Sequence, residues 1–97
     1  MMFIPLNEHT AKLSQKLVWF EPPGLALANP IRFLAYAFRY ARFEEMSQLR
    51  EYLSDDELRQ ALRQAPPGII DPRSWAYWHL MLDLAPQPLP ERDLGTR

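Results

Sequence analysis

The sequence predicts an all-α fold, a compact bundle of four short helices with an N-terminal segment before it and a proline-rich tail after it. Apolar residues recur at helical spacing in four segments of the chain. Prolines and glycines separate these segments, and residues that favour helix N-caps stand at their starts. The chain has 97 residues, of which 47% are hydrophobic. It therefore suits one domain with a single modest core.

An N-terminal segment, residues 1–24, comes first, and we expect it to pack against the helical domain. A helix could begin in it at Thr10, because Leu13 and Leu17 lie four residues apart. The bulky apolar residues at 17–20 would suit an extended conformation equally well. The sequence therefore leaves both conformations open for this segment.

The helical domain spans residues 25–85, and its first helix follows the N-cap pair Asn29–Pro30 and ends near Ala41. Proline suits the first helical position, because the backbone N–H it lacks would have no partner there. Apolar side chains cover most of the circumference, and only Arg32 and Arg39 mark a polar edge. A helix that is apolar on most sides is typical of a buried, central position.

Helix-start signals define the other three helices. The pair Glu44–Glu45 opens the second, where carboxylates meet the positive end of the helix dipole. Ser54 caps the third, with Glu57 three residues later in a capping-box arrangement. Asp71 caps the fourth. The proline-rich tail, residues 86–97, is expected to be extended.

Composition excludes several classes of function. Eleven basic residues face twelve acidic ones, and the net charge of −1 argues against binding nucleic acid through bulk charge. The absence of cysteine excludes disulfides, thiol catalysis and thiolate metal sites. No apolar run approaches the ~20 residues of a membrane span, and the N-terminus lacks the pattern of a secretory signal. We therefore expect a cytoplasmic protein that binds no membrane.

A catalytic or metal site around His79 and Asp83 is the weakest hypothesis. The two residues lie four apart on the last predicted helix, but no further ligand follows at a known spacing. The clustered acidic residues stand at helix starts, where the dipole alone explains them. We expect no catalytic, cofactor-binding or metal-binding residue, and hence a protein that is not an enzyme.

A small nucleic-acid-binding regulator is the alternative function. Arg59 and Arg63 lie four residues apart on the third helix, and the turn before that helix has the length found in helix-turn-helix motifs. The first turn of the helix, however, carries acidic residues at 55–57, which DNA phosphates would repel. A solvated helix face is the simpler interpretation of the two arginines.

Aromatic residues are the most distinctive feature, at 12% of the chain. Four short helices offer little interior in which to bury all of them, and Trp or Tyr beside Arg is typical of protein-binding surfaces. A core role for the aromatic residues is the competing interpretation, and exposed aromatic surface would serve a homodimer equally well. The sequence predicts a partner-binding surface of five residues: Arg39, Tyr40, Arg42, Trp75 and Trp78.

From Leu17 to Leu82 the order of features resembles a group of small bacterial all-helical proteins. The resemblance rests on five segments: Trp19-Phe20-Glu21, residues 31–40, Phe43-Glu44-Glu45-Met46, residues 58–62 and residues 70–78. Members of this group are typically encoded beside abortive-infection-type nucleotidyltransferase toxins and are regarded as antitoxin-like or of unknown function. The resemblance implies a non-enzymatic protein with a protein partner, the nucleotidyltransferase of a neighbouring gene.

Overall fold

The structure, a computed structural model, describes residues 2–90. Within this range the chain is all-helical, as the sequence predicts, but it forms six helices rather than four. They are α1 (Glu8–Leu17), α2 (Pro23–Leu27), α3 (Pro30–Tyr40), α4 (Phe43–Leu49), α5 (Asp55–Arg63) and α6 (Pro72–Met81). The four helices predicted for the domain correspond to α3–α6, so the two additional ones are α1 and α2.

Helix α1 settles the conformation of the N-terminal segment, and it begins earlier than Thr10. Asn7 caps it, because the Asn7 side chain accepts from the Thr10 N–H and the Thr10 hydroxyl accepts from the Asn7 N–H, both at 2.9 Å. The Thr10 hydroxyl in turn donates to the Pro5 carbonyl at 2.6 Å. These bonds satisfy backbone groups that a free helix start would leave unpaired.

Helix α2 is the element that the sequence analysis missed. The sequence Pro22-Pro23-Gly24 is typical of a break between two parts of a chain, yet Pro23 occupies the first turn of a five-residue helix with Pro22 as its N-cap. Proline is tolerated there because the helix needs no N–H from it. The helix buries Ala26 and Leu27, and it spans the boundary expected between residues 24 and 25.

Helix α3 is the central helix, which confirms the prediction. It packs against α1, α2, α5 and α6. Its buried residues include two alanines, Ala35 and Ala37, whose side chains are fully inaccessible to solvent. Small side chains at these positions let neighbouring helices approach the α3 backbone closely, so four helices pack around one short helix.

The predicted caps of the later helices are confirmed. Asn29 accepts from the Arg32 N–H at 3.3 Å at the start of α3. Ser54 and Glu57 form the reciprocal capping box of α5, with N···O distances of 3.1 and 2.9 Å. Asp71 accepts from the N–H of the third residue of α6 at 3.4 Å. Each cap satisfies a backbone donor that the helix itself cannot pair.

Glu45 joins α1 to α4. Its carboxylate accepts hydrogen bonds from the Lys16 ammonium of α1 and, at 2.8 Å, from the Arg42 backbone N–H. Burial by itself would raise the pKa of the Glu45 carboxyl, but these hydrogen bonds outweigh burial and hold the pKa below its ordinary value of 4.5. The ionised form of Glu45 therefore stabilises the folded chain.

The segment after α6 runs along the body without regular secondary structure as far as Pro90. The Gln87 carbonyl accepts a hydrogen bond from the Trp75 indole at 2.8 Å, which ties this segment to α6. Of the tail predicted at 86–97, residues 91–97 lie outside the described range. Between residues 2 and 90, no helix has the length and apolar character needed to cross a membrane.

Overpacking tests the central position of α3. We expect Ala35→Leu to lower the free energy of unfolding by about 1–3 kcal/mol, because the added methylene groups have no space between packed helices. The control is Ala76→Leu, at an exposed position in the middle of α6, with an expected change within about 0.5 kcal/mol. Urea denaturation measures both. Equal midpoints for the two variants would contradict the packing described.

The Glu45 link predicts a pH dependence. We expect Glu45→Gln to lower the free energy of unfolding at neutral pH by about 0.2–1 kcal/mol, because the Lys16 side chain of the pair is half exposed. Folding lowers the pKa, so the stabilisation is complete above pH 4.5 and is lost as pH falls through the folded pKa. Urea denaturation at neutral and acidic pH should therefore show a gap between variant and wild type that closes in acid. Glu44→Gln, at an exposed position, is the control.

Candidate functional site

A groove lies between α4 and α6, next to the C-terminal end of α3. Its volume is about 340 Å³. Three buried side chains at its base, Phe38, Met46 and Trp78, belong to the hydrophobic core. Residues of α4 and α6 form most of its lining, and we call it the α4–α6 groove.

Four arginines line the α4–α6 groove, and none of its lining residues is acidic. Arg39 donates to the Ile69 carbonyl at 3.0 Å, and its guanidinium lies 5.1 Å from the centre of the Tyr40 ring. Arg50 pairs with an aspartate of α5 at 3.0 Å. Neither Arg42 nor Arg73 forms an ion pair with any residue in the range 2–90. Positive charge is therefore concentrated here in a chain whose net charge is −1.

Exposed apolar side chains line the groove or lie on the outer face of α6. Phe43, the first residue of α4, is 82% exposed, and Leu80 on the outer face of α6 is 78% exposed. Tyr77 and Met81 are about half exposed and line the groove from the α6 side. Large apolar groups left in water beside arginines are characteristic of a protein-binding surface.

The structure corrects the positions of two predicted surface residues. Trp75 and Trp78 are only 7% and 8% exposed. They lie three residues apart, so both are on the inner face of α6. The Trp75 indole N–H donates to the Gln87 carbonyl, and the Trp78 indole N–H donates to the Phe38 carbonyl. Trp75 and Trp78 are therefore core residues, although Trp78 also forms part of the base of the groove.

The three other predicted residues do lie at the surface, where they line two different cavities. Arg39 and Arg42 line the α4–α6 groove. Tyr40 lines a separate cavity of about 400 Å³ that also involves Trp19, Phe20 and Tyr36. Partner binding by these residues stays a prediction.

This second cavity belongs to an aromatic cluster, which we define as Trp19, Phe20, Tyr36 and Tyr40. The Phe20 ring lies 5.5 Å from both the Trp19 and the Tyr36 rings. Arg32 lies over the Phe20 and Tyr36 rings and pairs with Glu21 at 2.8 Å. The hydrogen bond that Arg32 donates to the Glu21 carboxylate raises the pKa of Arg32 above its ordinary value. The ion pair thus offsets the positive charge of Arg32, whereas Arg39 lies over the Tyr40 ring at the edge of this cluster.

Sequence reasoning missed Phe43, Arg73 and Tyr77 as lining residues of the groove. Helical periodicity could have indicated Arg73 and Tyr77, which lie four apart on the face of α6 opposite its tryptophans. The exposure of Phe43 had no comparable signal in the local sequence. Its exposure depends on how α4 is oriented against the core.

The arginines of the alternative function have different environments. The Arg59 guanidinium donates to the Leu82 carbonyl at 2.8 Å and pairs with Asp56 at 2.6 Å. Arg59 therefore holds α5 against the end of α6, and its hydrogen-bonding capacity is largely used within the chain. Arg63 is exposed. The pair does not present two free cations to a nucleic acid.

His79 and Asp83 are not brought together as a pair. His79 is buried, and its Nδ1 lies 2.7 Å from the Trp75 carbonyl, which can only accept, so Nδ1 carries the proton. Asp83 is exposed beyond the end of α6, in a left-handed backbone conformation with φ of 58°. In the described part of the chain, no group of three or more His, Cys, Asp or Glu side chains could hold a metal ion.

The Trp78 indole has a structural role that can be tested. Phe38 lies in the last turn of α3, where carbonyls lack a helical donor, and Trp78 supplies one at 2.9 Å. We expect Trp78→Phe to lower the free energy of unfolding by about 1–3 kcal/mol, since a buried carbonyl loses its partner. Trp19→Phe is the control, because Trp19 is 77% exposed. Equal unfolding midpoints for the two variants would show that this hydrogen bond does not stabilise the fold.

Comparison with known proteins adds no relative: no family model matches the chain, and no curated protein or solved structure is detectably similar to it. The resemblance noted in the sequence therefore stays a prediction. The function has to be inferred from the groove itself.

Proposed function

We propose that this chain is a non-enzymatic interaction module that binds a partner protein through the α4–α6 groove. The observation that carries the proposal is the combination, on one surface, of four arginines, exposed Phe43 and Tyr77, and no lining carboxylate. Burying such aromatic and arginine side chains against a partner supplies most of the binding energy in many protein interfaces. Nothing within the fold needs Phe43 to be aromatic, since its side chain is 82% exposed.

The sequence resemblance supports a specific version of this proposal. In that version the protein acts in the bacterial cytoplasm as the antitoxin-like partner of a nucleotidyltransferase toxin from a neighbouring gene. The chain would then act by covering a surface of the toxin, and it would need no catalytic group of its own.

The groove is favoured over the arginines of α5 as the functional surface. Arg59 is engaged by a carbonyl and by Asp56, whereas Arg42 and Arg73 have no ion-pair partner within residues 2–90. Positive charge that is not used inside a fold is available to a partner.

Charge reversal in the groove tests the proposal, and because the charge of Arg42 also helps to lower the pKa of Glu45, the stability of each variant is measured beside its capture. Arg42 is the N-cap of α4 and Arg73 lies in the first turn of α6, so a glutamate at either position is compatible with the helix dipole. We expect Arg42→Glu and Phe43→Ala each to reduce capture of the native partner by the tagged protein by about tenfold or more, the loss typical of an interface anchor. Quantitative mass spectrometry of co-eluting proteins measures this.

The matched control is Arg63→Glu, a charge reversal of an exposed arginine on α5. It should leave capture unchanged, and circular dichroism should show that all variants remain folded. Capture that is equal in wild type, Arg42→Glu and Phe43→Ala would contradict the proposal. A stoichiometric partner that is not a nucleotidyltransferase would overturn the antitoxin-like version and leave the interaction module standing. Light scattering would reveal a dimer of the chain as the competing partner.

A further inference from the structure

The shape of the α4–α6 groove restricts what can occupy it. Its volume of about 340 Å³ lies at the lower end of the range of about 300–1,000 Å³ for small-molecule sites, and residues of α4 and α6 form most of its lining. Such a groove takes a few anchoring side chains from a larger partner. Residues 2–90 contain no strand, so a partner finds no sheet edge with which to pair its backbone. A helical partner satisfies its own backbone groups.

The apolar surface beside the groove follows the outer face of α6. Tyr77, Leu80 and Met81 lie at positions i, i+3 and i+4 and are all exposed, with Phe43 of α4 also exposed at the groove. This face matches the apolar stripe of an amphipathic helix, whose own anchors recur at i, i+3 or i+4 and i+7. The apolar stripe of a bound helix would bury these exposed side chains of α6 and Phe43.

The positive charges of the groove favour a bound segment that carries negative charge. Arg39 and Arg42 lie on one side and Arg73 lies on the other, so cations flank the apolar residues on both sides. Carboxylates on either side of an apolar stripe would meet these guanidinium groups, and arginine–carboxylate pairs can form two parallel hydrogen bonds. Lysine or arginine at the same positions of an occupant would be repelled.

The surroundings favour a protein segment over a nucleic acid. Arg50 is paired with Asp55, and the first turns of α4 and α5 carry the acidic residues 44–45 and 55–57. A long polyanion leaving the groove in this direction would meet that negative charge, whereas a short helix can place its carboxylates at the arginines alone. From these observations and resting on the proposed function, we infer that the occupant is an acidic amphipathic helix of the partner protein.

Designed peptides test this inference on the whole protein. The probe is an amphipathic peptide of about 18 residues, long enough to form a helix, with leucines along one face and glutamates flanking them. One comparison peptide has lysine in place of every glutamate, and a second has the same composition in an order that destroys the apolar stripe. An oligothymidylate of similar length is the nucleic-acid probe. Fluorescence anisotropy measures affinity, and amide chemical shifts locate the binding surface.

The acidic amphipathic peptide is expected to bind at least about tenfold more tightly than either comparison peptide, and more weakly as salt increases. Shift changes should centre on Phe43, Tyr77 and Met81, which line the groove. The double variant R42E/R73E should lose this binding, and R63E should retain it. Equal affinity for the lysine peptide, or a loss that is the same for R63E, would overturn the inference.

The remaining outcomes separate this inference from the proposed function. If the acidic peptide does not bind while partner capture still depends on Arg42, the inference is wrong and the interaction module stands. If oligothymidylate binds more tightly than the peptide and shifts the same residues, the groove is a nucleic-acid site and the inference is overturned. If the acidic peptide binds but Arg42→Glu does not reduce capture of the native partner, the proposed function is wrong.

Discussion

The burial of α3 is the constraint on which the rest of the structure depends. This helix of 11 residues packs against four neighbouring helices. Its small side chains allow close approach of the backbones, and Phe33, Leu34 and Phe38 fill the remaining space. Because α1, α2, α5 and α6 all pack against α3, the shape of its surface constrains where these four helices lie. A single short helix thereby organises a chain that has no long element of its own.

The C-terminal end of α3 connects this core to the surface. Trp78 reaches the Phe38 carbonyl from α6, so the same residue closes the end of the central helix and fixes the rotation of α6. Because the inner face of α6 is buried against α3, the opposite face exposes Tyr77, Leu80 and Met81 to solvent. The exposed face of the groove is thus a geometric consequence of how the core is packed. Its arginines and Phe43 add the chemistry that a partner can recognise.

Local signals in the sequence were sufficient for most of the helices. Asn29, Ser54 and Asp71 cap helices where expected, because a capping side chain bonds to a backbone group only two or three residues away. Helix α2 was not predicted because a proline pair followed by glycine usually marks a break. Its five residues show too little helical periodicity to outweigh that signal. The all-α class and the central place of α3 needed only spacing and composition.

The sequence by itself determined the fold class, the helix starts and the apolar character of α3 and α6, all of which are properties of neighbours along the chain. Only the tertiary structure decided which aromatic residues are exposed, because burial depends on contacts such as that between Trp78 and Phe38, which are 40 residues apart. It likewise assembled the groove from α3, α4 and α6 and placed Tyr40 in the lining of a second cavity. Composition supplies the arginines and aromatic rings, but helix packing decides which of them share a surface.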